Sequence, residues 1–124
     1  MCGINGLVTR HDINVVNIVS DMNDTIFHRG PDDSAVFSCS AKNYNVGLGH
    51  QRLSIQDLSA SGSQPMEFND LVVVYNGEVY NFSAIRDELV EYGYSFSSGS
   101  DTEVILKAYD LWGISCRKYP KDRR

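Results

Sequence analysis

The cysteine at position 2, in "MCGINGLVTR", is the residue of this chain best equipped for nucleophilic chemistry. Removal of Met1, which a small second residue permits, would leave Cys2 with a thiol and a free α-amine on one residue. An α-amine has a pKa of about 7.7–8.0 and a thiol about 8.5, so near neutral pH much of the amine is unprotonated and can take the thiol proton. Nucleophile and base then come from one residue, without a His–Asp partnership. Gly3 beside it allows close backbone approach. A cysteine that merely follows the start codon would look the same.

Attack on a carbonyl also needs donors for the charge that develops on oxygen. "YNGEVYN" supplies the Asn76 side-chain amide next to the Gly77 N–H, after an apolar run. Asn-Gly is equally the composition of an ordinary hairpin turn. Arg52 in "GHQRLSI" is a charged residue in an apolar strand context, and its guanidinium fork suits a carboxylate bidentately. Asp101 opens the last predicted helix and suits an ammonium, although compensation of the helix dipole explains it as well. Together Arg52 and Asp101 would clamp the two ends of a free amino acid. His11, His28 and His50 invite a Cys–His hydrolase reading; none has a distinguishing spacing, and His28 in "FHRGPDD" is the best placed. No metal-ligand spacing is present, and no Walker or dinucleotide glycine pattern.

These residues must be positioned by strands and helices that the pattern predicts. "GINGLVT" (3–9) reads as a strand. Asp12 caps a predicted helix over about 14–27, with Val15, Ile18, Val19, Met22 and Ile26 at helical spacing. "HRGPDD" is a turn, because Gly-Pro followed by two carboxylates cannot continue a helix. "SAVFSC" and "NVGLGHQRLSI" are strands, with Cys39 packed in the first as a small hydrophobe. Residues 57–65 form a loop, and "DLVVVYN" a buried strand. Asn81 or Ser83 caps a helix over about 83–92, and Gly93 stops it. "YSFSS" is a short strand. Ser100 and Glu103 have capping-box spacing, and the helix they open carries Val104, Ile105, Ala108 and Trp112 on one face before Gly113 ends it. Strands and helices come in batches, which predicts an α+β class.

The chain has 124 residues, enough for one domain with a modest core. Three cysteines, widely spaced, give no disulfide framework. Neither a membrane-spanning apolar run nor a secretory leader is visible, which predicts a cytoplasmic protein. Net charge is −5, but "RKYPKDRR" at the end holds five basic groups, leaving six basic and fifteen acidic residues over 1–116. An acidic body carries no footprint for nucleic acid.

"MCGI", "HRGPDD", "GHQRLSIQDLS", "GSQPM", "VVYNGEVYNF" and "GSDTEVILKAYDLWG" occur in this order. With them the chain resembles the N-terminal glutaminase domain of glutamine-hydrolysing asparagine synthetases, class II glutamine amidotransferases of the N-terminal-nucleophile hydrolase type. The resemblance runs from residue 1 to about 113. It implies an αββα sandwich, incomplete at the C-terminus, and a mechanism in which Cys2 attacks the side-chain amide of glutamine. Asn76 and the Gly77 N–H would hold the oxyanion, Arg52 the α-carboxylate, and Asp101 with Glu78 the α-ammonium. Leu53, Ser54, Ile55 and Gln56 would line the pocket. No cofactor is implied for this chain. ATP and Mg²⁺ would serve a synthetase domain that activates aspartate and receives the ammonia; nothing in these 124 residues resembles that domain, which the reading expects to be absent here. Residues 114–124 do not match, and the charge reversal there predicts a truncated chain. Such a chain would expose an apolar sheet face and unpaired edges. It would be a glutaminase, or a catalytically dead fragment acting as an interaction module or having no function.

Overall fold

Three predicted strands in the first half of the chain form one antiparallel sheet. The computed structural model describes residues 1–54 and 60–118. Strands β1 (Gly3–Thr9), β2 (Asp33–Ala41) and β3 (Tyr44–Arg52) assemble in the order β1-β3-β2. The register sets Gly3 opposite Gln51 and Asp33 opposite Arg52. The end of β3 thus lies between the starts of both neighbours. These strands belong to a compact unit made of Met1–Ile55, Ser63–Pro65 and Val74–Asn76.

Helix α1 (Val15–Thr25) covers one face of this sheet. Val15, Val19 and Asn23 are its buried positions, one turn apart each. The sheet beneath them is glycine. A Cβ on Gly47 would stand 2.7 Å from Val19 Cγ2, and one on Gly49 2.5 Å from Asn23 Oδ1. Asn23 replaces apolar packing at its turn with hydrogen bonds. Its amide donates to Ser34 Oγ (3.2 Å) and the Ala35 carbonyl (3.1 Å), and its Oδ1 accepts from Asn5 Nδ2 (2.5 Å).

Two expectations for α1 are corrected. Asn14, not Asp12, is the cap, its Oδ1 accepting from the Asn17 N–H at 3.0 Å. Ile18 is exposed, because the buried stripe runs through Asn23 instead.

Alternation along the strands puts Ile4, Val8, Phe37, Cys39, Val46 and Leu48 on the opposite face. Ile4 is 46% and Val8 63% exposed. The apolar face expected from the sequence is therefore present and only partly covered. Cys39 lies in β2 as predicted but is exposed rather than packed.

A second compact unit is made of Gln56–Gly62, Met66–Val73 and Gly77–Arg124. In it, β4 (Met66–Phe68) and β5 (Leu71–Val73) form a short hairpin. The predicted strand over 70–76 is thus only three residues long, and β4 was not foreseen. Helices α2 (Phe82–Glu91) and α3 (Asp101–Trp112) pack through Ile85, Leu89, Val104 and Ala108. Gly93 and Gly113 take positive φ (94° and 56°) at the helix ends, as helix-stopping glycines do.

Residues 94–98 are not a strand. Their backbone groups are taken by side chains of the helices: Ser97 and Ser98 N–H donate to Glu103, Arg86 donates to the Ser98 carbonyl, and Lys107 to the Ser95 carbonyl. The capping box is corrected with them. Ser100 Oγ does cap, accepting from Thr102 N–H at 3.1 Å, but Glu103 reaches past Ser100 to Ser97 and Ser98. Among the described residues no helix is long and apolar enough to cross a membrane.

Candidate functional site

Cys2 stands one residue before β1, and the pairing of Gly3 with Gln51 carries it to the end of β3. There the Leu53 N–H donates to Cys2 Sγ at 3.3 Å, and the Sγ–H faces the Leu53 carbonyl at 3.6 Å. The sulfur is half-buried. Gly3 lets residues 26–29 pack closely beside the start of β1: a Cβ there would stand 2.8 Å from Ile26 Cδ1 and 3.2 Å from Arg29 Cβ.

Arg52, the last residue of β3, is buried. Its Nη1 donates to Ser63 Oγ (3.3 Å), and that hydroxyl donates to Asp33 Oδ2 (3.1 Å). The guanidinium is therefore braced from the side by a serine and, through it, by a carboxylate. A braced fork is preorganised for a planar anion.

The "HRGPDD" segment supports this strand end, a role that its reading as a turn had missed. Asp32 N–H donates to the Arg52 carbonyl (3.0 Å), and Asp32 Oδ2 accepts from Ser54 N–H (2.8 Å). Gly30 lies flat on the same backbone. A Cβ added there would run into the carbonyl carbon of Arg52 and stand 2.5 Å from the Gln51 oxygen. The obstacle is main chain and cannot swing away. Gly30→Ala is expected to destabilise the chain by about 1–3 kcal/mol, the usual cost of overpacking. Urea unfolding measures it, and an unchanged midpoint would mean that the close approach does not exist.

Of the histidines, only His50 is buried; it faces Ala35 and Ile4 across the ladder. Burial, with the nearby Arg52 charge, pushes its pKa below 6.5, while Asp33 and a hydrogen bond with the Tyr75 backbone act the other way. Its Nε2 has no hydrogen-bond partner among the described residues. His11 and His28 are exposed.

Asn76 is exposed and lies in the first unit with Cys2 and Arg52, just beyond the end of β5. The preceding Tyr75 N–H donates to Gln64 Oε1 at 2.6 Å, and Gln64 is buried. Gly77 and Glu78, both exposed, and Asp101, buried, belong to the second unit. Within that unit Asp101 Oδ2 accepts from Val79 N–H at 2.9 Å. Asp101 thus anchors the residue next to Glu78, besides standing in the first turn of α3. Leu53 and Ser54 are half-buried at the end of β3, whereas Ile55 and Gln56 lie outside the described residues.

The structure therefore brings Cys2 against Leu53, next to Arg52 in sequence, and brings Asp101 to the backbone beside Glu78. Sequence reasoning missed Gly30, Asp32, Ser63 and Gln64. The paired carboxylates of "HRGPDD" and the glutamine of "GSQPM" were in view, but read only as a turn, a loop and family markers.

Residues 1–120 match the model of a protein family described as a glutamine amidotransferase domain, so the match runs past Gly113. Several curated proteins are similar. One is a putative glutamine-hydrolysing asparagine synthetase of Methanocaldococcus jannaschii, 40% identical over 95% of this chain and 25% of its own length. Another is a glutamine-hydrolysing asparagine synthetase of Bacillus subtilis, 38% identical over 88% of this chain and 17% of its own. Asparagine synthetase B of Escherichia coli is 44% identical over 69% of this chain and 15% of its own. The chain spans a quarter or less of the length of these relatives.

Proposed function

The chain belongs to the glutamine amidotransferase domain family, and from that premise we propose that it releases ammonia from glutamine through Cys2. Once Met1 is removed, the α-amine of Cys2 takes the thiol proton. The thiolate attacks the side-chain carbonyl carbon of glutamine. The Asn76 amide and the Gly77 N–H hold the resulting oxyanion. The C–N bond breaks, the α-ammonium returns the proton to the leaving nitrogen, and ammonia departs. Water then cleaves the glutamyl thioester to glutamate and restores the thiol. Arg52 holds the α-carboxylate of glutamine, Asp101 with Glu78 the α-ammonium, and Leu53 and Ser54 line the pocket.

The observation that carries this reading is the seat of Cys2. Its sulfur receives the Leu53 N–H immediately after a buried, braced arginine. The fold that the reading implies is the αββα sandwich of N-terminal-nucleophile hydrolases. It is supported by a sheet with α1 on one face and a partly open apolar face on the other.

The names of the relatives point to asparagine synthesis as the use of the ammonia. In that reading a synthetase domain or subunit, working on aspartate with ATP and Mg²⁺ in the cytoplasm, is the partner.

The test is glutamate release from glutamine by the chain, with intact mass confirming that Met1 is gone. Asn76→Ala is expected to lower kcat by about 10²–10³-fold, the usual loss of one oxyanion donor. Glutamine bound in calorimetry without any glutamate formed would overturn the reading and leave a binding module.

A further inference from the structure

The segment that carries Asn76 has left the sheet. Strand β5 ends at Val73, and residues 74–76 have no regular backbone pairing. A donor that must meet an oxyanion within a few tenths of an ångström cannot rest on an unsupported stretch of chain. Something else has to fix the peptide before it.

That support is a buried side chain. Gln64 Oε1 accepts the Tyr75 N–H at 2.6 Å, taking the place of a ladder carbonyl. Gln64 is 7% exposed, so its side of the bond is shielded from water. The His50 ring, 1% exposed on β3, forms a second hydrogen bond with the Tyr75 backbone. The backbone of Tyr75 is thus held by two side chains from different parts of the first unit, its N–H by Gln64, and the next residue is Asn76.

We propose that Gln64 is a positioning residue for the reaction: through the Tyr75 N–H it fixes the direction in which Asn76 presents its amide to the oxyanion. This rests on the role given above to Asn76. Gln64 touches neither substrate nor nucleophile in this scheme. Its contribution belongs to the transition state, because the oxyanion exists only there. Loss of Gln64 should therefore lower kcat and leave KM for glutamine nearly unchanged.

The experiment compares Gln64→Met, which keeps length and volume but has no amide acceptor, with Gln64→Glu, which keeps an acceptor for the Tyr75 N–H. Each is made in the wild-type chain and in Asn76→Ala, and glutamate release is measured with Met1 removed. Gln64→Met is expected to lower kcat on the order of 10-fold with KM changed less than about 2-fold. Gln64→Glu should restore most of kcat. In the Asn76→Ala background Gln64→Met should cost less than about 2-fold more, since no donor remains to be aimed.

An equal loss in both backgrounds would overturn the positioning role while leaving the Asn76 assignment intact. No loss in Asn76→Ala itself would remove that assignment and the positioning role with it. Amide hydrogen exchange at Tyr75 gives a readout free of activity. It should quicken in Gln64→Met and stay slow in Gln64→Glu, and unchanged protection in Gln64→Met would overturn the proposal.

Discussion

A chain from which Met1 has been removed is expected to release glutamate from glutamine, and the same chain carrying Cys2→Ser is expected to fall by on the order of 10³-fold or more. A serine hydroxyl of similar size can sit at the end of β3, but its pKa lies far above that of a thiol, so the α-amine draws its proton away much less readily near neutral pH. A sulfur gives up its proton easily and is the better nucleophile. The structural part of the effect should be small, because the Leu53 contacts are two long, weak hydrogen bonds to a half-buried sulfur that a hydroxyl can also form. Unfolding of Cys2→Ser should therefore track the parent within about 1 kcal/mol. Retaining Met1 should be as damaging to turnover as the substitution, since it converts the α-amine into an amide with no basic lone pair. Intact mass and the glutamate assay, run on the same preparation, check both statements. Turnover that survives in Cys2→Ser would exclude Cys2 as the nucleophile.

The second large effect concerns stability. Glu103 and Lys107 form a buried ion pair one turn apart on α3, at 2.6 Å. Lys107 also lies over the rings of Phe68 and Phe96, and Glu103 accepts from Ser97 and Ser98 N–H and from the Ser98 hydroxyl. Burial alone would push the Glu103 carboxyl up, but the hydrogen bonds from Lys107, Ser98 and Ser97 outweigh it and hold it at about 2. Glu103→Ala leaves a buried ammonium without its partner and two backbone N–H groups without an acceptor. It is expected to cost about 3–5 kcal/mol, a large part of the stability of a small domain. Replacing both members by leucine should cost less, because no charge is then stranded.

The pH dependence has a definite sign. The folded pKa of Glu103 lies below its ordinary 4.5, so the contribution is complete above about pH 4.5 and is lost as pH falls toward about 2. The His50 pKa is also lowered, and its contribution is complete above about pH 6.5 and declines below that. Urea melts of Glu103→Gln should show the acid slope flattened and the slope just below pH 6.5 retained. An acid slope identical to that of the parent would mean that the pair does not exist as described.

Periodicity made six elements legible from the sequence, and chemistry pointed to Cys2 and Arg52. The apolar pattern of β1, β2, β3, α1, α2 and α3 is local and can be read from the sequence, although burial follows the period of the element closely only in β1, α1 and α2. Residues 94–98 misled because "YSFSS" alternates like a strand, while its backbone is claimed by Glu103, Arg86 and Lys107 from other segments. β4 was missed because three residues are too few to show alternation. Asn23 broke the apolar stripe of α1 for a similar reason. A buried asparagine looks out of place until Asn5, Ser34 and Ala35 are seen around it.

The supports of the candidate site were hidden by the same limit. Asp32 on Ser54 and Gln64 on Tyr75 are side-chain-to-backbone bonds between segments 22 and 11 residues apart. No spacing rule announces them. Gly30 was visible as a glycine, but the backbone it lies against comes from another strand.

The half-open face of the three-stranded sheet has a practical corollary. Cys39 stands on it opposite Val46, exposed and without a disulfide, whereas Cys2 is half-buried. The chain thus carries its own chemical gauge of whatever lies over that face. Alkylating reagents of increasing bulk would read, through Cys39, how much of the apolar surface is sheltered in a given preparation, before any partner has been identified.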